Sequence, residues 1–232
     1  MTRIALAFMS LLISSPAWAD NLIYIDQVGS SATITIDQDG SGNSVGASGD
    51  DSKSDGASTI LDIDQVGSSN ALDYDVYGDN ASVTATTNGN SSDIDIQVGT
   101  TGGTNGGSDD VTISITNPGN TNTVGVNVGA TESLVDDVNV DIDLTSGSGS
   151  NTITVTEDST ATSILDKTTD IDIDGSTNTV TVTHSGASQH DTLLNHTGSS
   201  STLSITQSGA EASTVDVNTN GSSSSVTINV SD

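Results

Sequence analysis

Ile23-x-Ile25-x-Gln27-x-Gly29 is followed eleven residues later by Ile34-x-Ile36-x-Gln38-x-Gly40, and this repeated phrase decides the fold. It returns as Leu61-x-Ile63-x-Gln65-x-Gly67, Ile113-x-Ile115-x-Asn117-x-Gly119 and Leu203-x-Ile205-x-Gln207-x-Gly209. Each phrase alternates apolar and polar residues, as a half-buried β-strand does, and ends at a turn glycine. A repeat this short cannot bury its apolar face alone, so successive repeats must stack. The sequence therefore predicts an all-β fold, a β-solenoid of stacked strand-turn-strand repeats with about eight layers.

The repeats fill the chain from residue 20 to residue 232. Sixteen strand-like segments can be marked there, in eight pairs joined by short turns of Gly, Ser, Asn and Asp. Two glycine-rich stretches, 40–58 and 100–108, interrupt the rhythm and are typical of flexible surface insertions. We expect a single repeat domain over 20–232 that carries these two insertions.

The N-terminal residues 1–19 have the pattern of a secretory signal peptide. Arg3 supplies a positive charge, 4–13 is mostly apolar, and Ala17-Trp18-Ala19 is a cleavage signal before Asp20. The apolar run is shorter than the roughly 20 residues needed to span a bilayer. We expect export, with a mature chain that is extracellular or held at the cell surface and has no membrane span after signal cleavage.

The composition excludes several classes of function. The formal net charge is -28, and only Lys53 and Lys167 remain as Lys or Arg once Arg3 is removed with the signal. Nucleic acid binding requires clustered Lys and Arg, so it is not expected. The chain has no Cys, so no disulfide framework accompanies export. Low hydrophobicity with high charge is also typical of disorder, but disordered chains have no reason to keep a regular alternation.

Amide side chains recur where the apolar face of a strand ends or begins. A buried amide is costly unless it is paired, but stacked amides can hydrogen-bond along a ladder at the strand spacing. The five-residue step from one amide to the next favours a ladder; the alternative is a polar residue that marks the strand end. The predicted ladder and assembly residues are Gln27, Gln38, Asn43, Gln65, Asn70, Asn117, Asn122 and Gln207.

This spacing resembles the repeat of curlin, the subunit of bacterial curli fibres, which has the form S-x5-Q-x4-N-x5-Q. The matching stretches are Asn21-x5-Gln27-x4-Ala32-x5-Gln38, Thr59-x5-Gln65-x4-Asn70-x5-Val76 and Ser201-x5-Gln207-x4-Ala212. The resemblance implies an exported β-solenoid whose ends add further subunits, giving an amyloid-like extracellular fibre for adhesion or a biofilm matrix. It also implies self-association or a related curlin-like partner, and passage through outer-membrane secretion machinery.

No catalytic constellation is evident, so we do not expect an enzyme. The chain has no thiol, G-x-S-x-G elbow, P-loop or H-E-x-x-H motif. His184, His190 and His196 are candidate metal ligands, but His184 and His196 occupy the amide position of the repeat. Substitution at that position explains both residues without a metal.

Calcium is the one cofactor that the sequence suggests. Asp170-x-Asp172-x-Asp174-Gly175 matches the opening of an EF-hand loop, but Thr181 stands where that loop ends in Glu. A strand with outward aspartates explains the same pattern, so no dedicated metal site is expected.

A diffuse effect of cations is better supported than a dedicated site. Outward carboxylates on adjacent layers, about 4.8 Å apart, repel by about 0.9 kcal/mol in unscreened water. Salt or calcium should therefore favour assembly. The residues in question are Asp26, Asp37, Asp62, Asp64, Asp141, Asp143 and Asp172.

Two alternatives to a fibre subunit remain open. One is an acidic β-solenoid adhesin or surface appendage protein that is supported by calcium and does not polymerise. The other is an ice-binding solenoid, because outward threonine pairs form T-x-T arrays similar to those of ice-binding proteins, although Thr is also simply a good strand residue. The pairs are Thr33 with Thr35, Thr152 with Thr154, and Thr181 with Thr183.

Overall fold

A computed structural model describes residues 21–46, 52–77, 80–89, 91–99, 110–119, 121–129, 137–145, 149–158, 167–186, 189–209 and 212–231. These ranges contain seventeen β-strands and no helix, and hence no helix able to cross a membrane. The strands are β1 Asn21–Ile23, β2 Asp26–Val28, β3 Ala32–Asp39, β4 Asn43–Val45, β5 Ser52–Asp55, β6 Ser58–Val66, β7 Ser69–Tyr77, β8 Asn80–Asn88, β9 Ser91–Val98, β10 Asp110–Thr116, β11 Thr121–Val128, β12 Val138–Leu144, β13 Ser150–Asp158, β14 Lys167–Ser185, β15 His190–Ser208, β16 Ser213–Asn220 and β17 Ser224–Ser231.

The strands form two rows of parallel pairs, and the chain alternates between them. Row 1 contains β1 with β2, β4 with β5, then β7, β9, β11, β13, the second halves of β14 and β15, and β17. Row 2 contains β3, β6, β8, β10, β12, the first halves of β14 and β15, and β16. Among the described strands, row 1 thus has nine levels and row 2 has eight. The predicted β-solenoid is confirmed.

The core lies between the rows and consists of stacked aliphatic columns. In row 2, Val83, Ile113 and Val140 follow one another in register, and all three are buried. The alternation read from the sequence gives these columns, because residues two apart on a strand share a face. Each buried aliphatic side chain contributes about 1.5–3 kcal/mol, so many thin layers can replace a bulky aromatic core.

Glycine stands at the corner that leads from row 2 to row 1, at the end of the repeated phrase. A Cβ on Gly175 would lie 2.7 Å from the backbone oxygen of Gly149 and 2.7 Å from Asn178 Oδ1. The backbones of adjacent turns approach too closely at this corner for a side chain. Glycine is therefore required at this corner because consecutive turns stack there.

The stretch 40–58, predicted to be a flexible insertion, contains two described strands, while 47–51 lies outside the described residues. β4 and β5 lie within it and together form the second level of row 1. Ser52 and Ser54 are buried residues of β5 that share one face, and Ser52 lies in register with the fully buried Tyr74. The small serines of β5 and the large ring of Tyr74 together fill the core at these levels. β5 therefore lacks the apolar alternation of the other strands. The predicted insertion at 100–108 and signal peptide at 1–19 lie outside the described residues.

Candidate functional site: buried polar ladders and open ends

Two of the predicted glutamines form a direct amide ladder in row 2. Gln38 and Gln65 lie in register on β3 and β6, and both are buried. Gln65 Nε2 donates to Gln38 Oε1 at 2.8 Å and to the backbone oxygen of Ala71 at 3.3 Å. This contact links consecutive turns through side chains, in addition to the backbone pairing.

A longer ladder of asparagines runs along row 1. Asn122, Asn151 and Asn178 lie in register on three consecutive levels. Asn122 Nδ2 donates to Asn151 Oδ1 at 3.0 Å, and Asn151 Nδ2 donates to Asn178 Oδ1 at 3.1 Å. At the first level, Asn21 Nδ2 donates to Asn43 Oδ1 at 3.3 Å. The two sets of contacts are separated by Ser92 in the same column, and they include Asn21, Asn151 and Asn178, which were not predicted as ladder residues from the sequence.

The five-residue step between amides is explained by the corner between the rows. Asn43 Nδ2 donates to the backbone oxygen of Gln38 at 3.0 Å, and Asn70 Nδ2 donates to that of Gln65 at 3.2 Å. The asparagine that begins a row 1 strand thus ties down the end of the preceding row 2 strand. Asn43 thus serves both the corner and the ladder, whereas Asn70 serves the corner.

The remaining predicted amides lie on inward columns without a neighbouring amide. Asn117 is buried, and its Oδ1 accepts from the backbone nitrogen of Gly119 at 2.7 Å. Gln27 is half-buried and lies in register with Ser54. Gln207 is buried in register with His184, and its Nε2 donates to Thr192 Oγ1 at 3.1 Å. A role of all these amides in assembly stays a prediction.

A buried polar cluster lies at the opposite corner, and the sequence analysis missed it. Thr169 Oγ1 lies 2.8 Å from Glu157 Oε1 and 2.9 Å from His184 Nε2. His184 Nε2 is also 3.2 Å from Glu157 Oε2. Lys167 Nζ donates to the backbone oxygen of Glu157 at 3.2 Å, and the rings of His184 and His190 meet edge to face at 5.4 Å.

Burial keeps the acid and the imidazoles of this cluster uncharged. It raises the pKa of Glu157 to about 8, although the hydroxyl of Thr169 and the charge of Lys167 act in the opposite direction. It lowers the pKa of His184 to about 3 and that of His190 to about 4, and the charge of Lys167 lowers both further. Near neutral pH, Glu157 is therefore a carboxylic acid beside the neutral ring of His184.

Strand parity was the signal that could have revealed this cluster. Glu157 continues the inward series Asn151, Ile153, Val155 on β13, and a charged residue at an inward position needs a partner. The same column is apolar on earlier levels, where it contains Val76, Val98 and Val128. This column of the core therefore changes from apolar to polar at the level of Glu157.

The calcium candidates do not form a loop. Asp170, Asp172 and Asp174 alternate along the extended strand β14, half-buried on its outward side. Asp172 Oδ1 accepts from Asn195 Nδ2 at 2.7 Å on the next turn. Within the described ranges, no group of three or more His, Cys, Asp or Glu side chains is placed to hold a metal ion.

Carboxylates do stack on neighbouring levels of the outer surface. Asp141 lies in register with Asp170, and Asp143 with Asp172. Partial burial and the neighbouring carboxylates raise the pKa of both Asp141 and Asp170. At the first two levels of row 1, the negative charge of Asp26 is balanced by Lys53, whose Nζ lies 3.5 Å from Asp26 Oδ2. The stacked aspartates are sites of mutual repulsion.

Part of the outward face of row 1 carries only uncharged hydroxyl side chains on three consecutive levels. We call it the hydroxyl face. Its strands β13, β14 and β15 run in register, so hydroxyls line up in columns. It comprises Thr152, Thr154, Thr156, Thr179, Thr181, Thr183, Thr202, Ser204 and Thr206. The charge of this part of the rod is thus concentrated on row 2.

Both ends of the described solenoid expose side chains that belong to core columns. Val226 and Ile228 of β17 lie in register with Leu203 and Ile205, which are fully buried. Val226 is nevertheless 41% exposed and Ile228 45% exposed, because nothing is stacked over β17. At the other end, Ile23, Ile25 and Ile34 pack against the core but are only partly buried. Each end is therefore an open cross-section of the core.

Comparison with known proteins identifies no relative of this chain. No protein-family model matches it, and neither a curated protein nor a solved structure shows significant similarity to it.

Proposed function

We propose that this protein is an exported structural subunit, similar to curlin, that polymerises end to end into an extracellular amyloid-like fibre. The observation that carries the proposal is the pair of open ends. The inward residues Val226 and Ile228 are about half exposed, whereas the residues of the same columns one level below are fully buried.

Stacking a second copy on such an end satisfies two requirements at once. It covers the apolar side chains of the end strands, with a gain of about 25 cal/mol for each Å² of apolar surface buried. It also pairs the backbone N–H and C=O groups that an edge strand leaves unpaired. No Lys or Pro within β17, 224–231, opposes pairing. Self-association, or templating by a related chain, is the simplest use of these ends.

Fibres of this kind serve adhesion or a biofilm matrix, and we place the protein outside the cell for that role. The signal-like segment 1–19 and the resemblance of the repeat to curlin support this part of the proposal. The resemblance also suggests secretion machinery of the outer membrane as a transient partner.

Electron microscopy of the purified protein tests the proposal. The full-length sequence, residues 1–19 included, is expressed in an exporting host, and the exported chain is followed by negative stain over hours. We expect unbranched fibres with cross-β diffraction at about 4.8 Å along the fibre axis. Monodisperse short rods at all times would contradict polymerisation and favour the adhesin. Mass spectrometry of the same sample should place the N-terminus at Asp20.

A second candidate function rests on the hydroxyl face. Its columns of Thr and Ser form a regular array without charged residues, similar to the arrays of ice-binding proteins. Thermal hysteresis separates the two candidates. A freezing-point depression that disappears in Thr181→Glu would support ice binding, and its absence in the wild type would remove this candidate.

A further inference from the structure

The two rows of the described solenoid have unequal numbers of strands. The first level, formed by β1 and β2, and the last, formed by β17, both lie in row 1. Row 2 begins at β3 and ends at β16. If a second copy were stacked without rotation, β17 would meet β1 and β2. A strand would then be missing between β16 and the next β3.

A half-turn of the second copy removes this gap. Rotation by about 180° around the long axis places β1 and β2 over β16, and β3 over β17. The strands remain parallel, because the chain turns back at every corner and the half-turn exchanges both the rows and their directions. Continuing from the proposed fibre function, on which this inference rests, we infer that consecutive copies in the fibre are related by about a half-turn around the fibre axis.

The side chains at this junction match column by column. The repeat places Val215 and Val217 of β16 under Ile23 and Ile25 of the next copy. All four are partly buried residues that pack against the core of their own copy.

The second strand pair of the junction continues the core in the same way. Val226 and Ile228 of β17 lie under Ile34 and Ile36 of the next copy. The two strand pairs together extend the aliphatic columns of both rows without interruption.

The outward side of the junction is compatible as well. Thr227 continues the column of Thr154, Thr181 and Ser204. In the rotated arrangement the next residue of this column is Thr35 of the following copy, an exposed threonine on β3. Without rotation, Thr227 would meet Tyr24 instead.

Engineered disulfides distinguish the two arrangements, since the chain has no cysteine of its own. Adjacent strands lie about 4.8 Å apart, within the range of about 4.4–6.8 Å between Cα atoms that a disulfide spans. The ends of one copy are about 40 Å apart, so a bond between them must be intermolecular. The test variant is Thr35→Cys/Thr227→Cys, and the matched control is Tyr24→Cys/Thr227→Cys; all three positions are exposed.

Fibres of each variant are grown under reducing conditions, checked by electron microscopy, oxidised, dissolved and run on a non-reducing gel. We expect a ladder of covalent oligomers from the 35/227 variant, with at least tenfold less from the 24/227 variant. A ladder from the 24/227 variant alone, equal ladders from both, or fibres without any ladder would each overturn the half-turn. Absence of fibres from the wild type would instead refute the proposed function.

Helical reconstruction of wild-type fibres provides a second, independent measurement. We expect one copy per rise of about 41 Å along the fibre axis, with a rotation near 180° plus the twist of the sheets. A rotation per copy near zero would overturn the inference even where fibres form.

Discussion

Glu157 is a carboxylic acid that the fold keeps protonated. Because burial raises its pKa to about 8, from about 4.5 in the unfolded chain, the folded state retains a proton that the unfolded state releases. The stability contributed by Glu157 is therefore fully present below about pH 4.5 and is lost as pH rises through about 8. His184 acts in the opposite direction because its pKa is lowered. Its contribution to stability is fully present above about pH 6.5 and is lost as pH falls towards 3.

We predict that Glu157→Gln raises the free energy of unfolding at pH 8 by more than about 1 kcal/mol. The amide keeps the shape and the donor of the protonated acid. It also removes the free-energy cost of protonating the carboxylate at this pH when the chain folds. The difference from wild type should shrink towards pH 4.5. The measurement is urea unfolding of the two proteins between pH 4.5 and 9. A constant difference across this range would show that Glu157 does not titrate as described.

Gly175 occupies a corner that has no space for a side chain. We predict that Gly175→Ala lowers the free energy of unfolding by about 1–3 kcal/mol, because the new Cβ would lie 2.7 Å from a backbone oxygen of the previous turn. Gly125→Ala is the control: its Cβ would meet the Asp95 carboxylate at 3.2 Å, a side chain that can move. Urea unfolding of both variants checks this. Equal losses would mean that the corner is not the cause.

At the scale of the strand, the asparagine ladder links β11, β13 and β14. We predict that Asn151→Ala lowers the free energy of unfolding by about 1–3 kcal/mol, because it leaves the buried amide of Asn122 with only one of its two acceptors, the backbone oxygen of Gly119. Asn139→Ala, an exposed asparagine on β12, should change stability by less than about 0.5 kcal/mol. Chemical denaturation followed by circular dichroism compares them. If Asn151→Ala were as stable as the wild type, the ladder would add little to the stability that backbone pairing provides.

The strands that alternate apolar and polar residues could be predicted from the sequence. A strand whose inward residues are small and polar could not. Columns such as Val83, Ile113 and Val140 follow from parity alone. β5 was missed because its inward serines are complementary to Tyr74 of the next level, a relation that exists only once the register is known. The cluster around Glu157 was missed for the same reason, since residues far apart in the repeat meet at one corner only after stacking.

At the scale of the whole molecule, the charge of the rod opposes its assembly. Stacked carboxylates such as Asp141 with Asp170 repel each other within a copy, and the net charge of -28 repels between copies. We predict that millimolar calcium or high salt accelerates fibre growth, because cations screen this repulsion. Light scattering with and without a chelator measures it. The same growth rate with chelator and with calcium would refute a role for the carboxylates.

In the proposed fibre, the ends of the rod add further copies and its sides do not. Two isoleucines allow a matched test, because Ile228 on the end strand β17 is 45% exposed and Ile60 on β6, a strand paired on both sides, is 49% exposed. Ile228→Lys places a charge on the end strand, where it blocks pairing, while Ile60→Lys places the same charge on the side.

The measurement is the elongation of wild-type seeds by each variant, with circular dichroism as the check that both fold. We predict that Ile60→Lys elongates seeds like the wild type. Ile228→Lys should do so at least about tenfold more slowly, the factor expected when an end contact is weakened by about 1.4 kcal/mol. Equal elongation by the two variants, or a larger loss from Ile60→Lys, would contradict end-to-end assembly.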